Sequence, residues 1–336
     1  MKFFNKSILP VRQEAAVQKT IANLRTQRRN RFRILACING TEESLITVRQ
    51  AARIAVTDDS DIIILFVRPI DQGLHSGGLQ VRLARQNMMD AGFVLPGVTH
   101  LKRALDVLKE EGIDVLSWDR EIDHQDAWGD PAGDNKAEYK SPTGKSVVLK
   151  LKTAPDVAVG ILDQYELGPY NLMILGEPSR WRSEFKAFFG SGVVQTVSSM
   201  APCSVLIARE NSHKRGFLIF TDGTSRAMQS VRRAAVLAHM MGEPISLLAV
   251  GPTEAARAAA HEAVANAQAL LKAMKIPVPH IHVAIGELAA EIVKFSADYD
   301  IVVVSSERRS RWHRVFKGAF TSDVVRASKT SVLEVR

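Results

Sequence analysis

Tyr170-Asn-Leu-Met-Ile-Leu-Gly176 returns further along the chain as Tyr299-Asp-Ile-Val-Val-Val-Ser305. Each copy is a tyrosine, a polar residue and an unbroken apolar run that ends on a small residue. An apolar run without polar alternation suits a parallel strand buried on both faces. The surroundings repeat as well. Ser179-Arg180-Trp181 and Phe185-Lys186 return as Ser310-Arg311-Trp312 and Phe316-Lys317, and Ser204-Val-Leu-Ile-Ala-Arg209 returns as Ser331-Val-Leu-Glu-Val-Arg336. The separation drifts between 127 and 131 residues, well beyond the roughly 20–50 residues of a solenoid unit. The pattern is that of a whole domain copied within one chain.

Working outward from these phrases, apolar runs alternate with helical patterns. Arg33-Ile-Leu-Ala-Cys-Ile38 and Asp61-Ile-Ile-Ile-Leu-Phe-Val67 read as strands, and Asn39-Gly40-Thr41 reads as the turn after the first. Helices are expected over 42–56, 99–111, 155–167 and 192–200, and further strands over 113–116, 147–151, 171–176 and 204–208. In the second half strands are expected over 216–221, 244–250, 278–284, 300–305 and 331–336, separated by helices over 225–240, 253–274, 287–297 and 320–328. Strictly alternating strands and helices are the signature of a doubly wound parallel α/β sheet, and ligands in such sheets bind beyond the carboxyl ends of the strands. Residues 118–146 have no counterpart in the second half and read as an inserted loop or hairpin. The expected organisation is a helical arm over 1–31, a first domain over 32–210 and a second over 214–336.

Composition sets the class. The chain has 336 residues, 46% hydrophobic and 24% charged, enough for two ordinary cores. No apolar run approaches the roughly 20 residues of a membrane span, and the N-terminus lacks the apolar stretch of a leader peptide, so a cytoplasmic protein without membrane insertion is expected. Cys37 and Cys203 are the only cysteines, which offers neither a disulfide framework nor a zinc site. The net charge of +8 is concentrated in Arg25, Arg28, Arg29, Arg31 and Arg33 and in the two Ser-Arg-Trp segments. A solvated basic face explains the arginine cluster better than nucleic acid does.

Two motifs in the insert are weak. Pro142-Thr143-Gly144-Lys145-Ser146 resembles the end of a P-loop, but Tyr139 stands where the motif requires its first glycine. His124 and Asp126 lie among acids at a spacing that does not define a metal site. The loops after the fourth strand of each half carry more. Gly176-Glu-Pro-Ser179 leads to Gly190-Ser191-Gly192, and Ser305-Ser-Glu-Arg308 leads to Gly318-Ala-Phe-Thr321. Glycines and hydroxyls at a helix start suit an anion, because the backbone can approach and the free N–H groups face it. Trp181, Phe185, Phe188, Phe189, Trp312, Phe316 and Phe320 interleave with basic residues there, as a loop packed down by its aromatics or as a partner surface.

On these residues the chain resembles a tandem universal stress protein, with two such domains over about 31–336. The resemblance implies two five-stranded doubly wound sheets forming an internal pseudo-dimer, in which strands 204–208 and 331–336 pair within one chain and cover each other's exposed edge. Nucleotide-binding members carry Gly-x-x-Gly, nine residues, then Gly-Ser/Thr, together with an acid just after the first strand. Asp222-Gly223 matches that acid and its glycine, whereas Asn39-Gly40 lacks the acid. Ser179 replaces a loop glycine in the first half; Ser305 and Arg308 replace both in the second. The candidate binding residues are therefore Asn39, Gly40, Gly176, Ser179, Gly190 and Ser191 in the first half, and Asp222, Gly223, Ser305, Arg308, Gly318 and Thr321 in the second. The function implied is a non-catalytic stress-response or regulatory protein that senses ATP or a related adenine nucleotide. The alternatives are weak nucleotide hydrolysis at the same site, or a scaffold with inactive sites that binds a protein partner or a second copy of the chain.

Overall fold

A computed structural model describes residues 31–57, 60–69, 96–127, 130–166, 169–177, 191–210, 215–305 and 320–336. The arm over 1–30 and both Ser-Arg-Trp segments lie outside the described residues. Among the described residues twelve strands form one sheet. In the first half these are β1 (Arg33–Ile38), β2 (Asp61–Pro69), β3 (Asp119–Ala127), β4 (Asp130–Lys140), β5 (Ser146–Ala154), β6 (Leu172–Gly176) and β7 (Ser204–Ala208). In the second they are β8 (Phe217–Phe220), β9 (Ile245–Gly251), β10 (His280–Ile285), β11 (Ile301–Ser305) and β12 (Ser331–Val335). The order across the sheet is β10-β9-β8-β11-β12-β7-β6-β1-β2-β5-β4-β3. The two expected sheets are joined into one because β12 pairs antiparallel with β7, the pairing expected of strands 204–208 and 331–336.

The helices are α1 (Ile46–Thr57), α2 (Pro96–Glu110), α3 (Val157–Glu166), α4 (Ser191–Met200), α5 (Ser225–Met240), α6 (Arg257–Ala273), α7 (Leu288–Ser296) and α8 (Phe320–Ala327). They cover both faces of the sheet. On one face a single core runs through both halves, from Ala51, Ala52 and Leu108 under α1 and α2 to Val231, Ala235 and Leu271 under α5 and α6. On the other face the apolar packing divides in two, Ile161 and Val197 under α3 and α4, and Ile292 and Val324 under α7 and α8. The first strand, Arg33-Ile-Leu-Ala-Cys-Ile, is buried at all six positions, as a strand covered on both faces must be. Burial pushes the Cys37 and Cys203 thiols up from their ordinary range, so both behave as small buried hydrophobes.

The register at the β7–β12 junction is informative. Leu206 lies opposite Leu333, flanked by Ile207 opposite Val332 and Val205 opposite Glu334. Leu206 and Leu333 are the same position of the repeated Ser-Val-Leu phrase, so a local two-fold axis passes between them. Around it the contacts are reciprocal. The Arg209 N–H donates to Ser331 Oγ at 3.1 Å, and the Arg336 N–H donates to Ser204 Oγ at 3.3 Å. The Arg209 guanidinium donates to the carbonyls of Thr330 (2.8 Å) and Val325, and that of Arg336 donates to the carbonyl of Ser198. Each arginine therefore satisfies carbonyls at the C-terminal end of the other half's last helix, where unpaired acceptors and the negative pole of the helix dipole favour a cation.

One expectation is corrected and one is made specific. Residues 113–116 form no strand. Gly112, at φ 90°, ends α2, and the Ile113 N–H returns to the Leu108 carbonyl at 2.8 Å. The apolar pair Ile113 and Val115 is buried as part of this helix exit, and such a contact commonly accompanies a glycine stop. Residues 118–146 hold the hairpin β3–β4, which pairs antiparallel to β5 and extends the sheet by two strands. The P-loop-like residues form the turn from β4 to β5. The Gly144 N–H donates to the Ser141 carbonyl at 2.8 Å, and Lys145 Nζ donates to the Ala55 carbonyl at the end of α1. Arg31 holds the same turn through the Thr143 carbonyl at 3.1 Å and pairs with Asp61 at 3.4 Å. A tight hairpin turn is not a phosphate cradle, and its lysine serves a helix end.

Candidate functional site

The carboxyl ends of β1, β2 and β6 in the first half, and of β8, β9 and β11 in the second, are where a ligand of such a sheet would sit. The turn after β1 is built by Asn39. Its Oδ1 accepts from the Thr41 N–H at 3.0 Å and from Thr41 Oγ1 at 2.9 Å. Thr41 Oγ1 in turn accepts from the Ser44 N–H at 3.2 Å and caps the turn that leads into α1. The turn after β8 is the same construction with Asp222 in place of Asn39. Asp222 Oδ1 accepts from the Thr224 N–H at 3.1 Å and from Thr224 Oγ1 at 2.7 Å, and Thr224 Oγ1 caps α5 by accepting from the Ala227 N–H at 3.2 Å. Between them stand Gly40 at φ 89° and Gly223 at φ 73°, a left-handed conformation that favours glycine.

The copies differ in what covers the glycine. A Cβ built on Gly40 would meet His100 Nε2 at 2.8 Å, whereas one on Gly223 would meet Ala263 Cβ at 3.0 Å. His100, on α2, lies half-buried and stacked on Phe66 at 5.8 Å between ring centroids, near the end of β2. Sequence reasoning missed it, since it reaches the turn only through the packing of α2 on the sheet. In the second half the same place is filled by the small residue of an Ala-rich helix.

Gly176 and Ser305 end the fourth parallel strands. A Cβ on Gly176 would lie 3.3 Å from Ser44 Cα, so the post-β1 turn and the end of β6 are in close contact. Ser305 is half-buried, and its carbonyl accepts from Thr321 Oγ1 at the start of α8 at 3.4 Å. The structure therefore brings together Asn39, Gly40 and Gly176 in one half, and links Ser305 with Thr321 in the other beside the strand that carries Asp222. The backbone of Ser191 opens α4. Ser179, Gly190, Arg308 and Gly318 lie outside the described residues. Glu177, just past Gly176, receives Nε of Arg209, which ties the start of the first-half loop to the two-fold junction. Among the described residues no group of three or more His, Cys, Asp or Glu side chains is placed to hold a metal ion. His124 instead bonds Asn135 across the hairpin at 2.9 Å. No helix among the described residues is long and apolar enough to cross a membrane.

These features define a class: a parallel α/β sheet with helices on both faces and Asx-Gly-Thr turns at its carboxyl edge. Within that class, residues 215–336 match the model of the universal stress protein family. Among solved structures, a universal stress protein from Archaeoglobus fulgidus aligns over 90% of this chain and 96% of its own, with a TM-score of 0.58 at 15% identity. A protein of unknown function from Pseudomonas aeruginosa aligns over 92% of this chain and 94% of its own, with a TM-score of 0.57 at 16% identity. At these identities the likeness is one of fold. A comparison with curated proteins finds no match.

Proposed function

We propose that the chain is a regulatory protein of the universal stress type, with domains over 32–210 and 214–336, that responds to an adenine nucleotide at its second-half turn and does not turn it over. The observation that carries this reading is the pair of matched turns. Asn39 accepts the same two hydrogen bonds that Asp222 accepts, so the turn does not need a carboxylate. Asp222 places a carboxylate, 5% exposed, at the carboxyl edge of the sheet, where a ligand of such a sheet would sit. An acid after the first strand is what nucleotide-binding members of the resembled family carry. A buried carboxylate acts there as a strong acceptor for a ligand hydroxyl.

The test is Asp222→Asn, whose structure the first half already exemplifies. Thermal unfolding is followed with and without Mg-ATP, Mg-AMP and inorganic phosphate. A ligand that binds the folded state raises the melting temperature. The expected result is a nucleotide-dependent rise in the wild type that Asp222→Asn lacks, while its own melting temperature stays near that of the wild type. An equal rise in both proteins overturns the role of Asp222. No rise in either at millimolar nucleotide overturns the sensor and leaves the scaffold reading.

A further inference from the structure

We propose that His282 makes the outer edge of the second-half sheet acid-sensitive, so that mild acidification loosens β10 while the first half holds. The proposal is independent of any ligand at the carboxyl edge. It rests on how the two halves bury the same tyrosine. Tyr170 and Tyr299 open the two repeated phrases, and both rings are buried, at 4% and 1% exposure. In the first half the Tyr170 hydroxyl accepts from Gln164 Nε2 at 2.8 Å, and an amide has no charge to gain. In the second half the Tyr299 hydroxyl is bonded to His282 Nε2 at 2.9 Å, a ring that takes up a proton in the mildly acidic range.

The surroundings of His282 oppose that proton from most sides. On its own strand His280 stacks at 6.4 Å. From α7, Phe295 lies at 5.0 Å, with Lys294 Nζ 5.8 Å from the Phe295 ring centroid. From the chain leading into β8 comes Arg215, and from the turn before β11 come Asp298 and Tyr299 edge-on at 6.3 Å. Asp298 alone favours the charged ring, but its side chain is 67% exposed and is paired with Arg215 at 3.2 Å. Burial, then His280 and Arg215, depress the His282 ring below its ordinary value. The direction of linkage follows. A histidine depressed in the folded state favours folding when neutral; that contribution is present above its ordinary value and is lost as pH falls through it.

The position of His282 turns this cost into a local change. Among the described residues β10 is the terminal strand of the sheet and pairs only with β9, and an edge held on one side has fewer contacts to hold it against local opening. The Tyr299 bond itself survives protonation, with Nε2 as donor. The penalty is the charge placed among apolar and cationic groups, and it is relieved when the edge opens to water.

The experiment compares wild type with His282→Gln, which offers Tyr299 the amide chemistry that Gln164 offers Tyr170. Amide hydrogen exchange over 280–285 is measured at about pH 7.5 and about pH 5.5 and corrected for intrinsic rates. The expected result is a several-fold faster opening of β10 at the lower pH in wild type and none in His282→Gln, with Arg33–Ile38 unchanged in both. Equal acid response in the two proteins overturns the proposal. Should the variant fold poorly, NMR titration of the wild-type imidazole decides: a midpoint below the ordinary histidine value supports the proposal, and one at or above it refutes it.

Discussion

Replacing Arg209 by methionine tests the reciprocal junction most directly. The side chain is 7% exposed, and methionine keeps its length and apolar stem while removing every donor. Three acceptors lose a partner. The Thr330 carbonyl keeps the Ser328 hydroxyl at 3.2 Å and loses little. Glu177 is 28% exposed, so water replaces much of what the pair contributes. The Val325 carbonyl, in the last turn of α8, loses its guanidinium donor. An unsatisfied buried acceptor costs roughly 1–3 kcal/mol, and the exposed-side losses add about 1 kcal/mol more, which gives roughly 2–4 kcal/mol in all. At about 2–4 °C per kcal/mol for chains of this order, the melting temperature should fall by roughly 4–16 °C. Arg209→Lys should recover little, because a single ammonium cannot reach carbonyls and a carboxylate spread around a planar fork. Calorimetry on Arg209→Met, Arg209→Lys and Glu177→Gln makes the comparison. The reasoning fails if Arg209→Met costs no more than Glu177→Gln, since the carbonyls of the second half would then contribute nothing.

Two further outcomes follow from buried charge and from the hairpin turn. Burial pushes the Glu334 carboxyl up, against the attraction of Arg336; an acid raised in the folded state penalises folding above its ordinary value and ceases to do so below it. Glu334→Gln should therefore raise the melting temperature at neutral pH and lose that advantage near pH 4, and a gain that grows towards acid in a pH series of thermal scans refutes the assignment. Lys145→Met should cost about 1 kcal/mol through the lost bond to the α1 terminus and leave any nucleotide-dependent melting shift unchanged, whereas loss of that shift would restore the P-loop reading.

Much of the sheet was legible because its signal is local. Ser225–Met240 begins after Thr224, a capping residue, and ends before Gly242, at φ 69°; both marks stand in the sequence. The buried strands announce themselves as Ile-Ile-Ile-Leu-Phe-Val and Ile-Val-Val-Val. Strand β3, Asp-Arg-Glu-Ile-Asp-His-Gln-Asp-Ala, does not, since an edge strand with almost no apolar residue owes its form to its partner. Ile113 and Val115 misled for the opposite reason: they are apolar and buried, but as the exit of a helix. The candidate site was legible in part. Asn39 and Gly40 stand out as a turn after an apolar strand, and Asp222 and Gly223 through the family resemblance, whereas His100 meets Gly40 and His282 meets Tyr299 through helix and strand packing that no spacing encodes.

The junction also explains why the two copies of one phrase are not identical. Both repeats keep the arginine that reaches into the other half, and among the described residues each arginine pairs with one carboxylate. In the first half it comes from Glu177 on the loop after β6, and the strand position is Ile207, apolar as a buried strand prefers. In the second half the sequence has Ser306 at the counterpart of Glu177, and Glu334 at the counterpart of Ile207 supplies the acid to Arg336 at 3.3 Å. The carboxylate has moved from loop to strand, and a buried glutamate is the cost. Arg209 ties the start of the first-half loop to the two-fold junction, whereas Arg336 draws a carboxylate from its own strand.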